Sequence, residues 1–175
     1  LLAARAALHH WEEPCLSGAP DAPTGSGTGF FTGCALGCCY CQNYAISQQG
    51  LGKPIDTARL RDIFLELQEK GAQNLNLVTA TQWLPWVLPA LRAAPAEGLR
   101  LPVVYNTGGY GTVETVRALD GVVDIWLTDY KYAAPALAAE LSRARDYPAV
   151  AEAALRQMIA QTAAPVDNAE GYLQR

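Results

Sequence analysis

Residues 74–91 read NLNLVTATQWLPWVLPAL, and this stretch joins a strand pattern to a helix pattern. Residues 74–79 alternate between apolar and polar side chains, as a half-buried strand does. Apolar residues then recur at the spacing of one helix face: Leu84, Val87, Leu88 and Leu91. Pro85 suits the first turn of this helix, whereas Pro89 requires it to start late or to bend. The stretch predicts one βα unit.

The same alternation extends in both directions along the chain. Further strands are predicted at residues 28–32, 101–106 and 122–128, the last of them buried on both faces because its apolar run is continuous. Further helices are predicted from apolar spacing and cap residues. They comprise a helix capped by Asp56 or Thr57 that carries Leu60, Ile63, Phe64 and Leu67, a short helix after Thr112, and helices at residues 134–143 and 149–161.

Four consecutive βα units predict an α/β fold with a parallel sheet. Because a closed eight-stranded barrel takes about 250 residues, the chain is either an open sheet or part of a larger barrel. Upstream of the first predicted strand, residues 1–8 could be the end of a helix, and residues 18–27 have the composition of a loop. The chain begins with Leu1 and its only methionine is Met158, so we expect a fragment.

Composition narrows the class of protein. Half of the 175 residues are hydrophobic, so a sizeable core is expected. The 13 basic residues are outnumbered by 17 acidic ones and form no stripe, which argues against nucleic-acid binding. No apolar run reaches the roughly 18 residues of a membrane span, so no membrane association is expected. Four of the five cysteines lie within eight residues, which is typical of a reduced, cytoplasmic protein rather than a disulfide framework.

Every predicted strand runs into polar or metal-ligating side chains. In α/β folds, functional groups gather at the carboxyl ends of the strands, so these side chains are candidates for one site. The candidates are the loop of residues 34–41, then Thr79, Thr81 and Gln82, then Asn106 and Thr107, and finally Asp129 and Lys131.

The cysteine loop carries the most specific pattern. Cys34, Cys38 and Cys41 are spaced C-x3-C-x2-C, and closely spaced thiolates of this kind hold iron–sulfur clusters. Three ligands leave one iron of a [4Fe-4S] cluster open to a substrate. Zinc is the alternative, although a structural zinc site usually takes four ligands in two separated pairs. We expect Cys39 to be packed rather than ligating, and Cys15 is a remote candidate for a fourth thiolate.

The cysteine spacing, with the aromatic Tyr40 before the last cysteine and a strand before the first, resembles the radical S-adenosylmethionine superfamily. The flanking sequence resembles one branch of it, the pyruvate formate-lyase activating enzyme-like proteins. That similarity extends from about residue 8 to residue 175. It rests on the motifs HWEEPCLSG at 10–18, GSGT at 25–28, CQN at 41–43, IS at 46–47, NLVT at 76–79, VYNT at 104–107 and DYKY at 129–132.

The resemblance implies a partial (β/α)6 barrel with Cys34, Cys38 and Cys41 holding a [4Fe-4S] cluster in its mouth. S-adenosylmethionine would bind the open iron, and reductive cleavage would yield a 5′-deoxyadenosyl radical that abstracts hydrogen from a substrate. In activating enzymes, this hydrogen belongs to a backbone glycine of a glycyl-radical enzyme. A reducing partner such as flavodoxin or ferredoxin is also implied.

The resemblance also implies which residues contact S-adenosylmethionine. Tyr40 belongs to the cofactor site, and Thr79, Thr81 and Gln82 correspond to the contact with the methionine amino group. The branch has Pro-Thr-His where this chain has Ala80-Thr81-Gln82. The remaining contacts implied are Asn106 and Thr107, which resemble an Asp-Thr pair, and Asp129 and Lys131, which resemble an Asp-x-Lys motif facing the ribose or the carboxylate.

Residues 1–26 would form an N-terminal extension and loop, and residues 27–175 the radical S-adenosylmethionine core domain. This core domain would be truncated to about four of six βα units. We therefore expect poor solubility and little or no turnover from the 175 residues by themselves. The rival hypothesis is a non-catalytic module in which the same thiols hold zinc or an iron–sulfur cluster for structure or electron transfer.

Overall fold

The computed structural model describes residues 2–9, 25–162, 164–167 and 169, the first of these ranges by its backbone. Its strands are β1 Leu2–His9, β2 Ser26–Phe31, β3 Lys53–Pro54, β4 Leu75–Val78, β5 Val103–Thr107 and β6 Ile125–Thr128. Its helices are α1 Tyr44–Ser47, α2 Thr57–Glu69, α3 Leu84–Ala93, α4 Val113–Ala118, α5 Pro135–Ser142 and α6 Tyr147–Thr162. Short 3-10 turns at Thr81–Trp83 and Ala94–Glu97 flank α3.

The strands form one six-stranded sheet in the order β3-β1-β2-β4-β5-β6. β2, β4, β5 and β6 are parallel, and Gly29, Leu77, Tyr105 and Trp126 lie side by side across them. β1 runs antiparallel to both of its neighbours. The protein therefore has a mixed α/β fold with a four-stranded parallel sheet, and the predicted strands at residues 28–32, 74–79, 101–106 and 122–128 are confirmed as elements with shifted ends.

The predictions for the amino-terminal segment are wrong where the structure describes it. Leu2–His9 is a strand rather than the end of a helix, and Ser26 and Gly27 begin β2 rather than ending a loop. The alanine-rich sequence of β1 has a high intrinsic helix propensity, which is a weak preference. Pairing with the free edge of β2 provides backbone hydrogen bonds that override it. The predicted loop residues 18–24 lie outside the described residues.

The main core lies between the sheet and helices α2 and α3. On one face of the sheet, alternate residues of β4 and β5 are buried, as strand geometry requires. This face packs against the apolar stripes that the helical spacing predicts. The core residues of these four elements are Leu75, Leu77, Val103, Tyr105, Leu60, Phe64, Leu67, Leu84, Val87, Ala90 and Leu91.

Local signals in the sequence predict the helix starts correctly. The Asp56 side chain accepts a hydrogen bond from the Arg59 amide at 2.7 Å and so caps α2. The Thr112 hydroxyl likewise accepts from the Thr115 amide at 3.2 Å at the start of α4. Each such cap is worth about 1 kcal/mol. Helix α3 begins at Leu84 and runs through Pro89, which excludes a late start.

The prediction that the last strand is buried on both faces is wrong at Leu127, which is 47% exposed. β6 is the outermost strand of the sheet that the structure describes, so fewer neighbouring elements cover it. In the same described part of the chain, no helix has the length and apolar character needed to cross a membrane.

Candidate functional site

A pocket of about 350 Å³ opens at the carboxyl ends of the parallel strands. Its position follows from strand register, because Phe30, Val78 and Asn106 lie side by side on β2, β4 and β5. All three line the pocket, and the loops that follow the strands supply the remaining wall. Those loop residues are Cys34, Leu36, Cys38, Tyr40, Cys41, Gln42, Asn43, Thr79, Gly108, Asp129 and Lys131.

The structure brings Cys34, Cys38 and Cys41 together in this pocket wall. Burial raises the pKa of the Cys34 thiol, and the neighbouring thiols of Cys38 and Cys41 raise it further. The Leu36 amide and the Lys131 charge act in the opposite direction. The three thiols are therefore electrostatic neighbours in a partly desolvated site.

Each of the three thiols has a hydrogen-bond partner from the protein. The Leu36 amide donates to Cys34 Sγ at 3.4 Å, and the Ser142 hydroxyl donates to Cys38 Sγ at 2.8 Å. Cys41 Sγ lies 3.3 Å from Ser47 Oγ. Polar hydrogens directed at sulfur are the surroundings in which a thiolate ligand is stabilised.

The fourth cysteine of the loop has different surroundings. Cys39 is exposed and does not line the pocket, so the prediction that it is packed is wrong. Its backbone amide donates to the Leu141 carbonyl at 2.9 Å. All four cysteines in the described ranges are free thiols, and Cys15 lies outside those ranges.

The cysteine loop is held on both sides by neighbouring helices. The Gly37 amide donates to the Ser142 carbonyl at 3.0 Å, at the carboxyl end of α5. On the other side, the Gln48 side chain, just after α1, donates to the Leu36 carbonyl at 3.0 Å. These contacts use helix-end carbonyls and loop carbonyls that would otherwise need water. Both hydrogen bonds tie the backbone of the cysteine loop to neighbouring elements.

The fit of a metal group to these residues depends on its size. Among the described residues, no three Cys, His, Asp or Glu side chains are grouped as ligands of one metal ion. A mononuclear zinc site needs such convergence. A cuboidal cluster takes one thiolate at each of three irons, so its ligands surround the cluster rather than meet at a point. Cys34, Cys38 and Cys41 all line a pocket of about 350 Å³, and soft thiolates are ligands of both iron–sulfur clusters and zinc.

Two predicted contact residues, Thr79 and Asn106, lie together in the pocket wall. The Thr79 amide donates to the Asn106 carbonyl at 3.0 Å, just past the end of β4. Thr79 has φ 58°, in the left-handed region that β-branched residues rarely adopt. Strained backbone of this kind is found preferentially at functional sites.

Thr81 and Gln82, in contrast, do not line the pocket. Gln82 Nε2 lies 2.8 Å from the Thr32 carbonyl, 2.8 Å from the Gly33 carbonyl and 2.9 Å from the Thr79 carbonyl. An amide nitrogen carries two hydrogens, so these acceptors are enough to occupy it. Thr81 Oγ1 pairs with the Tyr105 hydroxyl at 3.0 Å. The polar groups of both residues are directed at the protein itself.

Thr107 is also absent from the pocket wall, although its neighbour Gly108 is part of it. The buried Thr107 hydroxyl accepts a hydrogen bond from the Gly109 amide at 3.3 Å. Gly109 has φ 77°, and a Cβ there would stand 2.6 Å from the Asp129 carbonyl oxygen. A side chain at this position would therefore displace the turn that shapes this side of the pocket.

Asp129 and Lys131 supply the charges of the pocket. Lys131 Nζ lies 2.6 Å from Asp129 Oδ2. Burial lowers the pKa of Lys131, but the hydrogen bond and the charge of Asp129 outweigh that effect and leave the pKa above its ordinary value. Lys131 is therefore a fixed positive charge, with donor hydrogens left for an anionic group of a ligand.

Several residues of the site have no counterpart among the sequence predictions. Tyr40 lines the pocket as expected, and its hydroxyl forms a hydrogen bond with the Tyr132 hydroxyl. The Tyr132 hydroxyl forms a second hydrogen bond, with Ser142 Oγ. Tyr147 is fully buried, and its hydroxyl donates to the Gly108 carbonyl at 2.8 Å. For Tyr132 the sequence does carry a signal, since it is the last residue of the DYKY motif at 129–132. Ser142 lies 104 residues from Cys38, and no local pattern indicates it.

The fold and site define a mixed α/β protein with a thiol-lined, charged pocket at its strand ends. No family model matches the chain. The chain is 33% identical over 129 residues to the uncharacterized protein MJ0674 of Methanocaldococcus jannaschii. The match covers 70% of this chain and 38% of that protein, so the chain spans well under half of that relative's length.

Proposed function

We propose that the protein is a radical S-adenosylmethionine enzyme whose [4Fe-4S] cluster is held by Cys34, Cys38 and Cys41. The observation that carries the proposal is the position of these three thiols. They share one pocket with Lys131 and Asn106, at the carboxyl ends of parallel strands. When bound, the cluster would supply the electron that cleaves S-adenosylmethionine to methionine and a 5′-deoxyadenosyl radical.

The residues around the thiols have separate tasks in this proposal. Lys131 offers a positive charge to the carboxylate of S-adenosylmethionine. Asp129 accepts a hydrogen bond from the Lys131 ammonium group and holds it in place. Asn106 presents an amide to the polar end of the ligand, while Phe30 and Val78 form an apolar floor that excludes water. Gln82 and Thr107 act indirectly, by hydrogen-bonding the backbone of the strand ends, and Thr81 acts through its bond to the Tyr105 hydroxyl.

We extend the proposal to the architecture. The parallel strands follow chain order, β2-β4-β5-β6, with no reversal among the strands that the structure describes. A doubly wound sheet reverses its order at a switch point, whereas a barrel keeps one direction. This sequential order supports a partial (β/α)6 barrel to which the described strands contribute four. Hydrogen abstraction from a glycyl-radical enzyme, the substrate class implied by the resemblance, is part of the same proposal.

Anaerobic reconstitution of the protein with iron and sulfide tests the function. We expect about four irons per chain and formation of 5′-deoxyadenosine from S-adenosylmethionine when dithionite is added. Cys34→Ala, Cys38→Ala and Cys41→Ala should each abolish both. Cys39→Ala is the matched control, because that thiol is exposed and outside the pocket wall.

Three results would decide against the enzyme. Uptake of zinc alone, or a Cys38→Ala variant that still loads four irons, would contradict the proposed ligand set. A cluster that forms but does not cleave S-adenosylmethionine would favour the rival hypothesis of a structural or electron-transfer module.

A further inference from the structure

A chain of hydroxyl groups leads from the surface to one of the pocket thiols. The Tyr40 hydroxyl bonds to the Tyr132 hydroxyl, and Tyr132 lies 2.7 Å from Ser142 Oγ. Ser142 Oγ lies 2.8 Å from Cys38 Sγ. Tyr132 and Ser142 are buried, with 7% and 0% of their surfaces exposed, whereas Tyr40 is 53% exposed.

Counting hydrogens gives this chain a direction. Each hydroxyl has one hydrogen to donate. The Ser142 hydrogen is directed at Cys38 Sγ, so Ser142 Oγ must accept from Tyr132. The Tyr132 hydrogen is then used, so its oxygen accepts from Tyr40. All three hydrogens point along the chain towards the sulfur, and aligned hydrogen bonds polarise one another.

We infer that Ser142 and Tyr132 are positioning residues that set the reduction potential of the cluster by delivering a hydrogen bond to the Cys38 sulfur. This inference rests on the proposed function. A hydrogen bond to a ligand sulfur stabilises the more negative, reduced state of a cluster more than the oxidised state, and so raises its potential. The row of hydrogen-bonded hydroxyls in this protein ends on one of the proposed cluster ligands, Cys38.

The surroundings of Ser142 fix the geometry of this hydrogen bond. Ser142 is the last residue of α5, and its carbonyl accepts the Gly37 amide from the cysteine loop at 3.0 Å. Backbone and side chain of one residue therefore hold neighbouring points of the loop, Gly37 and Cys38. Tyr132 packs edge-on against the buried Tyr147, with ring centroids 5.4 Å apart, which orients its hydroxyl.

The test is the midpoint potential of the reconstituted cluster, measured in the protein without S-adenosylmethionine. The cluster takes one electron from dithionite, and electron paramagnetic resonance reports the reduced fraction. For Ser142→Ala we expect about a tenfold lower ratio of reduced to oxidised cluster at a fixed potential. For a one-electron couple this corresponds to a midpoint about 59 mV more negative.

Tyr132→Phe provides an independent second variant. It keeps the ring and its packing on Tyr147 but removes the donor to Ser142. Because cooperative strengthening amounts to about 10–30% per bond, we expect a shift in the same direction and of that fraction of the Ser142→Ala shift. If Ser142→Ala does not fold, an unchanged potential in Tyr132→Phe overturns the inference by itself.

Tyr110→Phe is the matched control. Tyr110 also stacks on Tyr147, at 5.9 Å, but its hydroxyl donates to Asp146 rather than towards a thiol. The midpoint potential of the cluster in Tyr110→Phe should equal that of the wild type. A shift as large as that of Ser142→Ala would show a packing effect and overturn the inference.

Two other outcomes separate the inference from the proposed function. If the wild type takes up a four-iron cluster and Ser142→Ala has the same or a more positive potential, the inference fails and the proposed function stands. If the wild type takes up no cluster, the proposed function fails, and the inference fails with it.

Discussion

The side-chain amide of Gln82 donates to the backbone carbonyl of Thr32, 2.8 Å away, and thereby connects the ends of two neighbouring strands. Thr32 follows β2, and Gln82 lies in the turn after β4. The same nitrogen also reaches the carbonyls of Gly33 and Thr79. The cysteine loop begins one residue after Gly33, so this contact fixes the point from which the loop departs.

Gln82→Leu should therefore lower the free energy of unfolding by about 1 kcal/mol, the typical net value of a hydrogen bond at a partly exposed site. The measurement is urea denaturation followed by circular dichroism. Gln49→Leu, which changes an exposed glutamine, is the matched control and should differ little from the wild type. Equal stability of Gln82→Leu and the wild type would show that the contact contributes nothing.

Backbone strain at Thr79 leads to a second prediction. Its φ of 58° costs a β-branched residue about 1–3 kcal/mol, and glycine adopts this conformation without that cost. Part of the stability gained by relieving this strain is lost, because glycine has greater conformational freedom in the unfolded chain. Thr79→Gly should thus raise the free energy of unfolding by up to about 1 kcal/mol.

The control for this prediction is another threonine at a strand end. Thr128→Gly should destabilise the protein, because Thr128 ends β6 and its hydroxyl contacts Met158 Sδ at 3.3 Å. Thermal melts of both variants test the sign. Destabilisation of Thr79→Gly by as much as Thr128→Gly would contradict the strain argument.

Alkaline stability depends on Tyr105. Burial raises the pKa of Tyr105 to about 12 in the folded protein, against about 10 in the unfolded chain. Because the pKa is higher in the folded protein, the neutral phenol of Tyr105 contributes its full stability below pH 10. That contribution is lost as the pH rises from 10 towards 12. By pH 11 the loss from this residue is about 1.4 kcal/mol.

Tyr105→Phe should reduce the loss of stability between pH 8 and pH 11 by about that 1.4 kcal/mol. Urea denaturation at the two pH values measures it. Thr81→Val is the matched control, because it removes the hydrogen bond to Tyr105 but leaves the ionisable group buried. If Tyr105→Phe and the wild type lose stability in parallel, the phenol ionises as readily in the folded protein as in the unfolded one.

Under the proposed function, Lys131 binds the carboxylate of S-adenosylmethionine. A hydrogen bond between charged groups is worth about 1.5–3 kcal/mol, so Lys131→Met should weaken binding roughly 10-fold to 100-fold. Equilibrium dialysis of the reconstituted protein measures the Kd, and the iron content should stay at the wild-type value. Lys53→Met, at an exposed lysine of β3, should bind normally. An unchanged Kd for Lys131→Met would remove Lys131 from the binding site.

Elements whose signals lie within a few residues are predictable from the sequence, and elements that depend on long-range pairing are not. Apolar spacing predicts α2, and the cap residues Asp56 and Thr112 begin their helices as expected, because each signal is contained within a few residues. The strand β1 is missed for the opposite reason. Its residues favour a helix when considered alone, and only the edge of β2 makes them a strand.

The candidate site divides in the same way. The order of βα units places Cys34, Thr79, Asn106 and Lys131 at strand ends, and the structure gathers these residues in one pocket. Which strand-end side chains face that pocket is a matter of turn geometry. Gln82 turns back to the carbonyls of β2 because its amide finds acceptors there, and no periodicity in the sequence indicates that choice.

The sequence by itself determined the alternation of strands and helices and the spacing of the three thiols, because hydrophobic periodicity and residue type are local properties. Only the tertiary structure decided what surrounds those thiols. Ser142 reaches Cys38 across 104 residues of chain because the carboxyl end of α5 packs against the cysteine loop. Contacts of this kind depend on how the whole sheet packs with its helices, which no short segment of the sequence encodes.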